Sequence, residues 1–136
     1  MQINKLLISL AIISLLWASA AQAVELTYIP VTPCSIVDTR NTAAGRIDES
    51  EERDFHVFGS AAEISAQGGN AAGCPSPGGE PLAVHINMIA VDPTGKGNVT
   101  AFPLGSGSTD GLSVNYNTIG TNLANAGTVG TATGSG

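Results

Sequence analysis

The run Pro-Leu-Ala-Val-His-Ile-Asn-Met-Ile-Ala-Val at positions 81–91 constrains this chain more than any other stretch. Leu82, Val84, Ile86, Met88 and Ala90 make an unbroken apolar face, while Ala83, His85, Asn87, Ile89 and Val91 take the other. A period of two is the signature of a strand, and a strand mostly apolar on both sides belongs at the centre of a sheet pair. The Asp92–Gly97 stretch that follows reads as a tight turn: Pro93 presets φ, and Gly95 and Gly97 tolerate positive φ. Residues 98–102 then return as the second arm of a hairpin. Further short strands are expected at 24–31, 35–40, 54–58, 112–119 and 121–129, separated by Gly- and Ser-rich connectors at 66–81 and 103–111. Helix signals are nearly absent, the best being 61–66, soon ended by Gly68-Gly69. Short strands with turn signals at such intervals predict an all-β fold, an antiparallel β-sandwich with barrel-like closure as its variant.

The N-terminus predicts an address. A single positive charge in Met1–Lys5 precedes an apolar run from Leu6 to Trp17, and small residues end in Ala21-Gln22-Ala23. This order is that of a secretory signal peptide, cut after Ala23 or, alternatively, after Ala20. The run is too short to span a bilayer, which takes roughly 18 to 20 apolar residues. The expected organisation is a signal peptide over 1–23, a β-sandwich domain over 24–129 and a Gly/Ser/Thr tail over 130–136. Removing 23 of the 136 residues leaves 113, enough for one domain with a real core. Four basic residues then face eleven acidic ones, so no basic patch is left for nucleic acid or an anionic membrane. The acidic run Ile47–Phe55 reads as a solvated loop in preference to a cation site.

The chain has two cysteines, Cys34 and Cys74, and in an exported protein their expected state is a disulfide. Such a bridge would close about 40 residues, worth roughly 4 kcal/mol on the chain-entropy view. A metal site is the alternative, but there is no Cys-x-x-Cys spacing and only His56 and His85 could complete a set. No cofactor and no metal are expected.

Cys34 opens onto Ser-Ile-Val-Asp-Thr-Arg, and alternate residues of a strand share a face, so Asp38 and Arg40 can reach one partner region. Asp38 could be a general base. The preferred reading is a structural polar pin, the two paired with each other or with neighbouring backbone inside the sandwich. His85 is expected to be hydrogen-bonded and half-buried, and His56 to face solvent. Asp92–Gly97 lacks the length and Gly-Lys-Ser/Thr ending of a phosphate loop, and Asn98-Val99-Thr100 is a formal glycosylation sequon. Asn is disfavoured in strands, so Asn115 and Asn125 are expected to bond backbone at bulges or turns. A polar ligand groove using His85, Asn87, Asn115 and Asn125 is the alternative.

Tyr28–Arg40, the later Cys-Pro segment, Ala83–Gly105 and Leu112–Val129 together resemble a family of exported bacterial β-domains. Its members read roughly "PCRLVDTR", "AVxLNVT", "PxGxGxLTxYP" and "SxLNY…AN". Ser113, Asn115 and Tyr116 with Ala124 and Asn125, and the opening motif, carry the resemblance most specifically. Ser35 departs from it, standing where members have Arg, as do Asn87-Met88-Ile89 in place of Asn-Val-Thr. Members continue into strands ending in "DVxGY", which this sequence lacks. The resemblance thus implies either a truncated domain or strands supplied from elsewhere, with an open sheet edge that favours self-association.

The resemblance implies a non-catalytic structural or binding module, periplasmic, extracellular or on the cell surface. Cell-wall glycan and other surface proteins are the candidate partners. A carbohydrate-binding module is one rival, with Tyr28, Phe55, Phe58, Phe102 and Tyr116 as its aromatic candidates. A small hydrolase using Asp38 with His56 or His85 is the other, and it requires these groups to meet in a cleft.

Overall fold

The computed structural model describes residues 26–76, 78–107 and 111–132. The expected signal peptide over 1–23 and the last four residues of the expected tail lie outside them. The chain divides into two compact units, Met1–Pro30 and Val31–Gly136. Of the first, Leu26–Pro30 are described; they are exposed and form no regular element. The strand expected at 24–31 is therefore not formed over 26–31. Pro30 lies within this segment and Pro33 just after it, and neither has an N–H to give a ladder.

Among its described residues the second unit contains four strands: β1 (Ala83–Ala90), β2 (Gly97–Ala101), β3 (Leu112–Tyr116) and β4 (Leu123–Gly130). They form two antiparallel two-stranded sheets, β1 with β4 and β2 with β3. The fold is thus all-β and antiparallel, with the two sheets held as separate ladders. In the first sheet Ala83 faces Gly130 and Ala90 faces Leu123; in the second Gly97 faces Tyr116 and Ala101 faces Leu112. Thr131 donates its N–H to Leu82 O at 3.0 Å, carrying the first ladder one pair further and past the expected domain end at 129.

Directly paired residues share a face. One face of β1–β4 therefore carries Val84, Ile86 and Met88 with Leu123, Asn125, Gly127 and Val129. This face meets the second sheet: Val114 and Val129 are buried, and Leu112 lies over Gly127 so closely that a Cβ there would sit 2.9 Å from its Cδ1. Glycine at 127 is what lets the sheets approach. The opposite face, with His85, Asn87, Ile89, Ala124, Ala126 and Thr128, is exposed.

Two expectations change here. The run at 81–91 is not a central strand, since among the described residues it pairs with β4 alone. Nor does β2 return as its hairpin arm. Gly120 donates to Pro93 O at 3.0 Å, and Asp92 donates its N–H to Asn122 Oδ1 at 2.9 Å. These bonds tie the turn to the β3–β4 connection, so the chain crosses to the other sheet instead of doubling back.

The remainder of this unit, 31–80, is built from loops, a 3₁₀ turn (Thr39–Asn41) and one helix, α1 (Ala61–Ala66). The strands expected at 35–40 and 54–58 reduce to isolated bridges, Val37 with Gly68 and Gly59 with Cys74. Ser60 caps α1 by accepting from Glu63 N–H at 3.4 Å, and Glu63 Oε2 accepts from Ser60 N–H at 2.7 Å. This reciprocal capping box sustains a helix of less than two turns. Its Ile64 is fully buried, and Cys74 and Gln67 of the same scaffold are buried too, a second small core.

Candidate functional site

The Cys34–Cys74 disulfide is present, with the two Cα atoms 5.8 Å apart and a sequence separation of 40. It clamps the segment entering the second unit to the loop following α1.

Asp38 and Arg40 are paired, but not as expected. Arg40 Nε donates to Asp38 Oδ1 at 2.8 Å and Nη2 to Oδ2 at 2.7 Å, a two-pronged contact. The same carboxylate accepts from Arg40 N–H and from Asn41 Nδ2, each at 3.1 Å. The bond from the Arg40 guanidinium holds the Asp38 carboxyl below its ordinary range. Asp38 thus caps the 3₁₀ turn it precedes. The Arg40 side chain is 58% exposed, so the pair is a local clasp at the surface and not a pin inside the sandwich. The physical reason is that residues 39–41 form a 3₁₀ turn instead of continuing as a strand, which folds Arg40 back onto the Asp38 that caps it.

The internal pin is Gln67, which the sequence reading passed over. Its side-chain Nε2 donates to Ile36 O at 2.8 Å and His56 O at 2.7 Å, and its Oε1 accepts from His56 N–H at 3.0 Å. Its backbone carbonyl accepts from Asp38 N–H at 3.1 Å. Gln67 therefore joins both segments expected to be strands to the end of α1, and it is only 9% exposed. The available signal was an amide residue closing the single helix pattern before two glycines.

The acidic run forms a loop folded around Arg53. Its guanidinium donates to Gly45 O and Arg46 O, each at 2.7 Å, and holds Glu51 at 2.5 Å. That contact lowers the Glu51 carboxyl from its ordinary range. Arg46 in turn donates to Asp92 O at 2.9 Å, docking this loop on the β1–β2 connection. Among the described residues no group of three His, Cys, Asp or Glu could hold a metal ion.

His85 is exposed, not half-buried, because it lies on the uncovered face of β1–β4; its Nδ1 stands 3.3 Å from Thr128 Oγ1 across the ladder. His56 is exposed as expected and bonds Gln67 through its backbone. The Asp38 carboxylate is occupied by Arg40 and Asn41, so the structure does not bring it together with either histidine. Asn87 shares the exposed face with His85, opposite Ala126, while Asn115 sits on β3 opposite Asn98. Asn125 lies on the covered face and donates to Ser113 O at 2.9 Å, binding backbone in the other sheet. Its Oδ1 also accepts from Ala126 N–H at 2.9 Å. The four residues of the expected groove are thus split: His85 and Asn87 stand together, and Asn115 and Asn125 elsewhere. No helix among the described residues is long and apolar enough to cross a membrane. Comparison with protein-family models, with curated proteins and with solved structures gave no match.

Proposed function

We propose that this protein is an exported, non-catalytic structural or binding module that works outside the cytoplasm through the exposed face of β1–β4. The observation that carries this reading is the contrast between that face and the polar side chains of the loop scaffold. Asp38, Arg40, Arg53 and Gln67 are all engaged in tying loops to backbone or to one another. The exposed face, by comparison, is uncharged from end to end, with Ile89 51% exposed beside His85, Asn87 and Thr128. The disulfide supports an oxidising compartment, and the resemblance to exported bacterial β-domains supports the same address.

A cell-wall glycan is the favoured small-ligand alternative. It would use His85, Asn87 and Thr128 as hydrogen-bonding groups over the floor of Ala124 and Ala126. An aromatic platform is less apt: of its five candidates Phe55, Phe58, Phe102 and Tyr116 are partly covered, and Tyr28, 81% exposed, lies in the other compact unit. The test is co-sedimentation with purified peptidoglycan, comparing the protein with His85→Ala/Asn87→Ala. Retention lost in the double variant supports a glycan site on this face. Equal retention of both proteins would place any glycan contact elsewhere.

A further inference from the structure

We propose that the free edge of β1 is a pairing surface for a second copy of this chain, joining two β1–β4 sheets into one four-stranded sheet about a two-fold axis at Ile86. This deepens the reading of the domain as a binding module by naming its partner, and it rests on that reading.

The ladder fixes which backbone groups are free. Antiparallel pairs alternate between those that exchange hydrogen bonds and those that do not. Leu82 accepts from Thr131 N–H at 3.0 Å, and this pair is in register with the rest of the ladder. Val84, Ile86, Met88 and Ala90 must therefore bond β4, while the N–H and C=O groups of Ala83, His85, Asn87 and Ile89 point away from it. β4 obeys the same alternation: Ala126, opposite Asn87, has its N–H turned outward, where Asn125 Oδ1 takes it at 2.9 Å. The β4 edge is thus partly capped by its own side chain. Among the described residues no such bond covers the outward groups of β1.

The β1 edge also lacks the features by which proteins protect strand edges. Ala83–Ala90 contains no Pro, no Lys and no charge, and its pairing with β4 runs without a bulge. The charge distribution favours a copy over an oppositely charged partner. The chain carries a net charge of −6, concentrated before residue 81, and β1 and β4 hold none of it. Two copies meeting along β1 bring uncharged strands together, with no like-charge contact in the strand.

The register follows from parity. The outward residues 83, 85, 87 and 89 are centred on 86, so antiparallel pairing of like edges sets Ala83 opposite Ile89 of the second copy and His85 opposite its Asn87. By symmetry this makes four pairs, each exchanging two backbone bonds. The covered face stays continuous, because Ile86 meets Ile86 of the second copy and Val84 meets its Met88. On the exposed face an imidazole meets an amide, a pair able to hydrogen-bond. Centring the axis on Asn87 would set His85 against Ile89 and leave Ala83 beyond the partner strand, so it is the poorer fit.

Light scattering of the purified protein over a range of concentrations provides the test. The expected mass is twice that of one chain, falling to one chain in Asn87→Lys, which places a cation on the edge. Asn87→Pro, which removes an outward N–H without touching the β1–β4 bonds, should act alike. Thr128→Lys, on the same exposed face but on β4, should remain dimeric. Ile86→Cys should give a crosslinked dimer on non-reducing gels, because its Cα would face its own copy across a pair that exchanges no hydrogen bonds. A single-chain mass at every concentration overturns the proposal, as does a dimer that survives Asn87→Lys. Loss of the dimer in Thr128→Lys would mean that faces stack, and overturns it too. A monomer that still sediments with peptidoglycan would sink the pairing while leaving the binding-module reading intact.

Discussion

Gln67 shows how a single buried amide substitutes for a strand pairing. Segments 35–38 and 54–58 are β-prone by composition, yet neither finds a strand partner. Their facing carbonyls and N–H are satisfied instead by the Gln67 side chain, which uses both donors and its acceptor on main chain. Truncating it leaves three part-buried backbone groups without their partners, at about 1 kcal/mol each. Gln67→Ala is therefore expected to lower unfolding stability by about 3 kcal/mol in urea melts. Arg40→Ala provides the contrast: the Arg40–Asp38 clasp is exposed, and exposed ion pairs contribute little. Its melt should stay close to that of the unmodified protein, and equal losses in the two variants would contradict this ranking. The Asp-x-Arg spacing correctly suggested a pair, because residues two apart lie near each other in either a strand or a tight turn. Gln67 could not be ranked by sequence, since its importance comes from segments 11 and 31 residues away.

The elements divide by how far their causes extend along the chain. The helix at 61–66 matches its expected bounds because everything that makes it is local: the Ser60-x-x-Glu63 box at its start and Gly68-Gly69 just beyond its end. All four strands were also readable, β2 at 98–102 from the turn before it and the others from alternation and from Gly120 between the last two. Partner choice was not, because it depends on bonds such as Asp92 to Asn122, 30 residues apart. The junction after α1 depends most closely on one position. Gly68 adopts φ +79°, and a Cβ there would collide with the Asp38 carbonyl oxygen across the bridge to Val37. An L side chain faces both the left-handed backbone penalty and that collision. Gly68→Ala should thus cost about 2 to 3 kcal/mol by thermal or urea melt. Gly79→Ala is the control, since a Cβ there meets nothing within 4 Å, and it should leave the melt nearly unchanged.

The second unit as a whole has two small cores in place of one, and they depend on different forces. Ile64, Cys74 and Gln67 are buried within the scaffold that the disulfide closes, whereas Val114 and Val129 lie between the sheets. The bridge and the sheets were legible from residue pattern, whereas the folding of residues 31–80 into a loop scaffold with its own core was not. The disulfide closes its loop entirely within that scaffold, so its entropic contribution, roughly 4 kcal/mol at most, is concentrated there. The β1–β4 and β2–β3 ladders lie outside the closed loop, joined to it at Arg46–Asp92. Reduction should accordingly act unevenly, in the manner of separable cooperative units. Hydrogen exchange before and after mild reduction is expected to show faster exchange at Gly59, Gly69, Asn70 and Cys74, whose N–H groups bond within the scaffold. Amides of Val84, Ile86 and Val129, in the β1–β4 ladder, should change much less. If both sets accelerate by the same factor, the two cores unfold as one, and the sulfur–sulfur bond supports the sheets as directly as it supports the loops.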